Sequence, residues 1–133
     1  MGRIIMKWGG GLISDKSSLC TPFSNRISAL ADCVKNLVAS GHEVIIVHGA
    51  GSFGHLRARE FRLAEGNIPD FDQESAIDQV RGDMDTLHEL VTSSLAPLSI
   101  HSHAPRDFAL NTGATFDGDL ERFLKPGTHI TFG

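Results

Sequence analysis

The sequence predicts an α/β protein built on a mainly parallel sheet. Three observations carry that expectation. Arg3–Trp8 and Val44–Val47 are short strand-like runs, the second entirely β-branched, as in a strand buried on both faces of a parallel sheet. Each run leads straight into glycines: Gly9, Gly10 and Gly11 after the first, then Gly49, Gly51 and Gly54 after the second. Between the two runs, Ile27, Leu30, Ala31, Val34, Leu37 and Val38 recur at helical spacing. Residues 3–48 therefore read strand, helix, strand: a parallel pair joined by a crossover.

Taken in order, the first strand ends in Lys7-Trp8, and Lys16 follows just beyond its glycines. Thr21-Pro22 predicts a helix start, a hydroxyl N-cap followed by proline at the first helical position, and Gly41 predicts its end. After Val44–Val47 and its loop, His55–Ala64 can be helical; its Arg57, Arg59 and Arg62 read as solvated charges. Glu65–Asp72, with Gly66, Asn67 and Pro69, reads as loop. A long helix follows from Gln73 to Leu95, its stripe of Ile77, Val80, Met84, Leu87, Val91 and Leu95 facing the core, with one end able to wall an apolar ligand pocket.

Leu98–Ser102 predicts a third strand. His101 and His103 alternate near its end and share a face, but no third ligand accompanies them, so they read as ordinary histidines rather than a metal pair. Asn111–Asp119 is rich in turn residues and suggests a hairpin. Leu120–Leu124 reads as helix, closed by Pro126-Gly127, and His129–Phe132 begins a last strand. The preceding strands each lead to a functional loop, and here the chain stops at Gly133; the expectation is part of a longer α/β protein.

The totals narrow the partners. A chain of 133 residues suggests one domain or part of one. A net charge of −4, with acidic and basic residues interspersed, argues against nucleic acid as the main partner. The two cysteines, Cys20 and Cys33, match no zinc spacing. With no signal-peptide pattern and no apolar stretch approaching ~18 residues, the expectation is a cytoplasmic protein without a membrane partner.

Strand, glycine loop and helix start together form a phosphate-binding arrangement, because glycine lets the backbone approach an anion with no Cβ in the way. His55, at the mouth of the following helix, adds a side-chain donor. Gly49-x-Gly51-x-x-Gly54 also fits the dinucleotide fingerprint. That fingerprint wants an acidic residue about 20 positions on, at the end of the next strand. Asp70 and Asp72 lie at that distance in a proline-containing loop with no apolar run before them, and the reading leaves Lys7, Gly9–Gly11 and Lys16 without a role. Two glycine loops on neighbouring strands can instead hold a donor and an acceptor phosphate head to head. Phosphoryl transfer needs mainly alignment and cancellation of charge, a task for Lys7 and Lys16.

Lys7-Trp8-Gly9-Gly10-Gly11-Leu12-Ile13-Ser14-Asp15-Lys16 resembles the opening motif of the amino acid kinase superfamily. His48-Gly49-Ala50-Gly51-Ser52-Phe53-Gly54-His55 resembles, more narrowly, the isopentenyl phosphate kinase family. The resemblance covers roughly the first half of a family member. It implies a three-layer α/β/α sandwich, here truncated: residues 1–133 form the N-terminal, phosphate-acceptor part, without the C-terminal nucleotide-binding part. It also implies ATP-dependent phosphorylation of isopentenyl phosphate to isopentenyl diphosphate, with Mg2+ as counter-ion and a homodimer of the full-length parent left open. On that pattern Lys7, Gly9, Gly10, Gly11 and Gly51 meet ATP. Lys16 stabilises the phosphoryl group in transfer, and Ala50, Gly54 and His55 hold the substrate phosphate, His55 counting with Lys16 as catalytic. The long helix from Gln73 helps enclose the isoprenoid tail. Where this chain has Gly11 the family commonly has a hydroxyl residue. A fosfomycin-type kinase within the superfamily and a catalytically silent phosphate-binding module are the competing expectations.

Overall fold

Residues 2–98, 101–103 and 130–132 are described by a computed structural model. Their strands, β1 (Arg3–Trp8), β2 (Glu43–His48), β3 (His101–His103) and β4 (Ile130–Phe132), make one parallel sheet in the order β1-β2-β4-β3. Arg3 lies beside Glu43 and Trp8 beside His48. β1 and β2 therefore end level, and both glycine loops leave the same edge. β4 inserts beside β2 with Ile45 next to Ile130, and His101 flanks Ile130 on the other side.

The first loop folds into one helical turn, α1 (Gly10–Ile13), and the crossover is α2 (Ser24–Ala39). Ile27, Ala31 and Val34 of α2 are buried, at the spacing the sequence displays. Its end is a Schellman motif: Gly41 takes φ +87°, its N–H donates to Val38 O at 3.0 Å, and His42 N–H donates to Leu37 O at 3.1 Å. Its start differs from expectation. Thr21 and Pro22 do not cap the helix; Phe23 stands at the N-cap with no side-chain bond. Pro22 forms an antiparallel bridge with Ser14, Asp15 N–H donates to Thr21 O at 2.9 Å, and Phe23 N–H donates to Ile13 O at 2.8 Å. Those bonds hold 21–23 extended against 13–15, which outweighs the local helix-start signal.

One face of the sheet carries the core. Trp8, Val44 and Ile46 pack there with Ile27, Val34, Phe53, Leu87, Val91 and Leu95. The opposite face is partly open: Ile45 is 7% exposed, but Val47 is 38% and Ile5 69% exposed, and Arg3 pairs with Glu43 across it at 3.0 Å. The expected burial of Val44–Val47 on both faces is thus met for Val44, Ile45 and Ile46 and not for Val47. β1 is also an edge of the sheet among the described strands, so an unpaired edge and exposed Ile5 together offer a surface for further packing.

After the second loop, α3 (His55–Glu60) is shorter than the expected His55–Ala64. The chain turns left-handed at Arg62, φ +53°, and Leu63–Glu65 is a 3-10 turn. The Gln73 carboxamide organises this bend: its Nε2 donates to Phe61 O at 3.1 Å and Gly66 O at 3.0 Å, while its Oε1 accepts from Ile68 N–H at 2.9 Å. α4 (Gln73–Ser94) begins at Asp72, whose carboxylate accepts from Ser75 N–H at 3.2 Å. Of its apolar stripe, Leu87, Val91 and Leu95 are fully buried and Met84 packs on the core, whereas Ile77 is 40% exposed; in the first turn it is the neighbouring Ala76 that is buried. Ala96–Leu98 forms a 3-10 turn, so the third strand begins at His101 rather than Leu98. The expected hairpin at Asn111–Asp119, the helix at Leu120–Leu124 and Pro126-Gly127 lie outside the described residues.

Candidate functional site

The two glycine loops touch backbone to backbone. A Cβ on Gly10 would lie 2.3 Å from Gly51 N, and one on Gly49 would lie 2.8 Å from Gly10 N. Gly51 adopts φ +50°, and a Cβ there would fall 1.8 Å from Ser14 Oγ and 2.5 Å from Gly10 O. No side chain fits at this junction, which explains why both loops carry glycine at the point of approach. The loop bonds turn inward: Leu12 and Ile13 N–H donate to Gly9 O, Ser14 N–H to Gly10 O, Gly49 N–H to Trp8 O, Phe53 N–H to Ala50 O and Gly54 N–H to Gly51 O. The amides of Gly10, Gly11, Ala50 and Gly51 donate in none of these bonds.

Lys16 sits on a short loop beside α1. Asp15 accepts from Ser17 N–H at 2.9 Å and Ser17 Oγ at 2.6 Å, which holds its carboxyl below the usual carboxylate range. The Lys16 side chain lies along the first loop: a Cβ on Gly11 would be 2.7 Å from its Cε and 3.3 Å from its Nζ. The space that a side chain at position 11 would take is therefore filled by the lysine stem and ammonium. Gly54 abuts Ala50, whose Cβ is 2.7 Å from where a Cβ would stand, and Met84 Sδ of α4 is 3.6 Å away. Of the expected site residues, Gly9, Gly10, Gly11 and Lys16 gather at the end of β1, and Ala50, Gly51 and Gly54 at the end of β2. Lys7 is exposed in β1 beside Val47, and His55 is exposed as the first residue of α3.

Several polar pairs here were not visible in the sequence. Ser14 and Ser52, both fully buried, link the loops through the Ser14 hydroxyl, which accepts from Ser52 N–H at 3.0 Å. Arg57, expected to be solvated, bonds Asp83 at 3.1 Å and Gln79 at 2.7 Å and so ties α3 to α4. Beside it, burial and then Asp83 push the Cys20 thiol up, which keeps it a thiol rather than a thiolate nucleophile at neutral pH. Asp72 is engaged as the α4 cap, and no strand precedes it within 61–72, so the dinucleotide reading loses its acidic partner. Among the described residues no group of three His, Cys, Asp or Glu side chains converges as a metal site, and no helix is long and apolar enough to cross a membrane.

His48, the last residue of β2, is 5% exposed. Its Nδ1 lies 3.1 Å from Gly49 O and its Nε2 2.8 Å from His88 Nδ1. A carbonyl only accepts, so His48 Nδ1 carries the hydrogen, Nε2 accepts, and His88 Nδ1 donates. Burial pushes the His48 imidazole below its ordinary value of 6.5. The folded chain thus takes up this proton at lower pH than the unfolded chain does, and stability falls as pH drops through the unfolded value. Lowering pH from about 7.5 to 5.5 is expected to remove up to about 1.4 kcal/mol. Urea midpoints measured across that range check it, and the slope should flatten in His48→Asn; a wild-type midpoint that rises on acidification would contradict the assignment.

The amino acid kinase family profile matches residues 2–114. The isopentenyl phosphate kinase of Thermoplasma acidophilum is 33% identical over 125 residues, covering 93% of this chain and 49% of that protein. The crystal structure of its product complex superposes with a TM-score of 0.78 at 24% identity, over 99% of this chain and 54% of the other. An isopentenyl phosphate kinase substrate complex gives a TM-score of 0.75 at 27% identity, over 99% and 53%. The chain therefore has the fold of these enzymes and spans about half their length.

Proposed function

Because the chain belongs to the amino acid kinase family, we propose that it is the phosphate-acceptor half of an ATP-dependent kinase that converts isopentenyl phosphate to isopentenyl diphosphate. The observation that carries this reading is the backbone contact of Gly10 with Gly51, which brings two glycine loops within reach of two phosphates. The nucleophile is already a phosphate oxygen, so no base is needed; the residues align the groups and offset charge. In this reading Lys7 and Gly9–Gly11, with Gly51, receive the ATP phosphates, Lys16 lies where the phosphoryl group passes, and Ala50, Gly54 and His55 receive isopentenyl phosphate. Magnesium, as ATP's counter-ion, would offset phosphate charge; no group of three His, Cys, Asp or Glu side chains among the described residues would hold it. The likeness to isopentenyl phosphate kinases favours this substrate over fosfomycin. The reading includes a cytoplasmic location.

Residues 1–133 alone are expected to bind phosphate ligands weakly and to turn over ATP negligibly. The test is a titration of the isotope-labelled chain followed by amide NMR shifts. Isopentenyl phosphate should move Ala50, Gly54 and His55, and His55→Ala should weaken it by about 10- to 150-fold, the worth of a hydrogen bond to a charged group, with His55→Gln recovering part. Preference for fosfomycin would favour the antibiotic-kinase reading. An equal loss for ATP would remove His55 from the acceptor side.

A further inference from the structure

We propose that Ser14 is a positioning residue whose hydroxyl clasps the first glycine loop to the second and so sets the separation of the two phosphates; this rests on reading both loops as phosphate cradles. The hydroxyl is bonded on both sides. It donates to Gly10 O at 2.6 Å and accepts from Ser52 N–H at 3.0 Å, in a place where Ser14 and Ser52 are 0% exposed. It also fills the volume that Gly51 leaves empty, since a Cβ there would fall 1.8 Å away. A second tie runs through the same residue: Ser52 Oγ accepts from Thr21 N–H at 3.1 Å, and Ser52 O accepts from Cys20 N–H at 3.1 Å. The loop that carries Lys16 therefore leaves from Ser14 and returns at Cys20–Thr21, and both stems are fastened to the second glycine loop. Ser14 is sealed from any ligand, so it acts on the reaction through distance alone. Distance is decisive here, because in-line transfer falls about 100-fold for a misplacement of about 1 Å. Removing the hydroxyl leaves Ser52 N–H unpaired in a dry junction and leaves Gly10 O with the Ser14 N–H alone, and the loops part to recover water.

The probes are inorganic tripolyphosphate, long enough to engage both loops, and inorganic phosphate, which engages one; affinities are read by calorimetry on the 133-residue chain. Ser14→Ala should weaken tripolyphosphate about tenfold or more while phosphate changes by no more than about twofold. Ser14→Thr, which keeps the hydroxyl, should recover most of the loss. A role confined to stability would lower the melting temperature but leave the ratio of the two affinities untouched, and that result, or an equal loss for both probes, overturns the proposal. A wild-type chain that binds neither probe overturns the cradle reading itself. If Ser14→Ala does not fold, hydrogen exchange on the unaltered chain decides: the Ser52 amide should exchange as slowly as β2 and slow further with tripolyphosphate but not with phosphate. Exchange at the rate of an exposed loop overturns the clasp.

Discussion

Gly51→Ala is expected to destabilise the chain by about 2–5 kcal/mol, the sum of a left-handed Cβ penalty and an overpacked junction. The added carbon would meet Ser14 Oγ at 1.8 Å and Gly10 O at 2.5 Å, from a backbone at φ +50°. Neither neighbour can yield cheaply. One is backbone, and the other is a hydroxyl bonded on both sides. Against a net stability of about 5–15 kcal/mol, that loss leaves the chain marginal or unfolded. Gly82 supplies the control, being an exposed glycine inside α4 with nothing within 4 Å of an added Cβ. Gly82→Ala should stabilise by up to about 1 kcal/mol through helix propensity alone. Opposite signs for one substitution type, measured by urea unfolding, isolate the loop contact. Near-equal midpoints for Gly51→Ala and wild type would mean the two loops do not meet.

The parts of this fold that repeat with a period could be read from the residues. β1 and β2, the buried face of α2 and the core end of α4 all follow from apolar spacing, and the paired glycine loops follow from composition at the strand ends. Signals without a period misled or stayed silent. Thr21-Pro22 is a good helix start locally, yet 13–15 competes for the same backbone and holds it extended. An apolar run such as Val44–Val47 says that a strand is covered, not which face, and here Val47 and Ile5 remain open. Arg57 looked like any surface charge because its partners, Gln79 and Asp83, lie a loop and a helix start away. The same holds for Ser14 with Ser52 and His48 with His88. Each pair joins residues about 40 apart on different elements, and nothing local marks them. Lys16 was expected near the first glycine loop from its motif, but its resting place over Gly11 was not legible. Gly11, which stands where the family commonly has a hydroxyl residue, leaves the room that the lysine end takes.

That placement makes Lys16 the residue whose loss should cost the proposed reaction most. Residues 1–133 span about half of the relatives, so the measurement is made on these residues joined to the second half of the Thermoplasma acidophilum enzyme. There, Lys16→Met should lower kcat by about 100- to 1,000-fold, the usual worth of a charge-stabilising donor acting in the transition state. KM for ATP and isopentenyl phosphate should move far less, because an interaction made chiefly in the transition state lowers kcat and kcat/KM together. Lys16→Arg keeps the charge but replaces a compact ammonium with a planar fork, so it should retain only part of the rate. Gly11→Ser tests the same geometry from the other side. Its Cβ would lie 2.7 Å from Lys16 Cε, and the flexible stem would swing away, so kcat should drop while the fold survives. If Lys16→Met keeps a near-normal kcat, the ammonium over the first loop is a surface charge, and the phosphoryl group passes elsewhere.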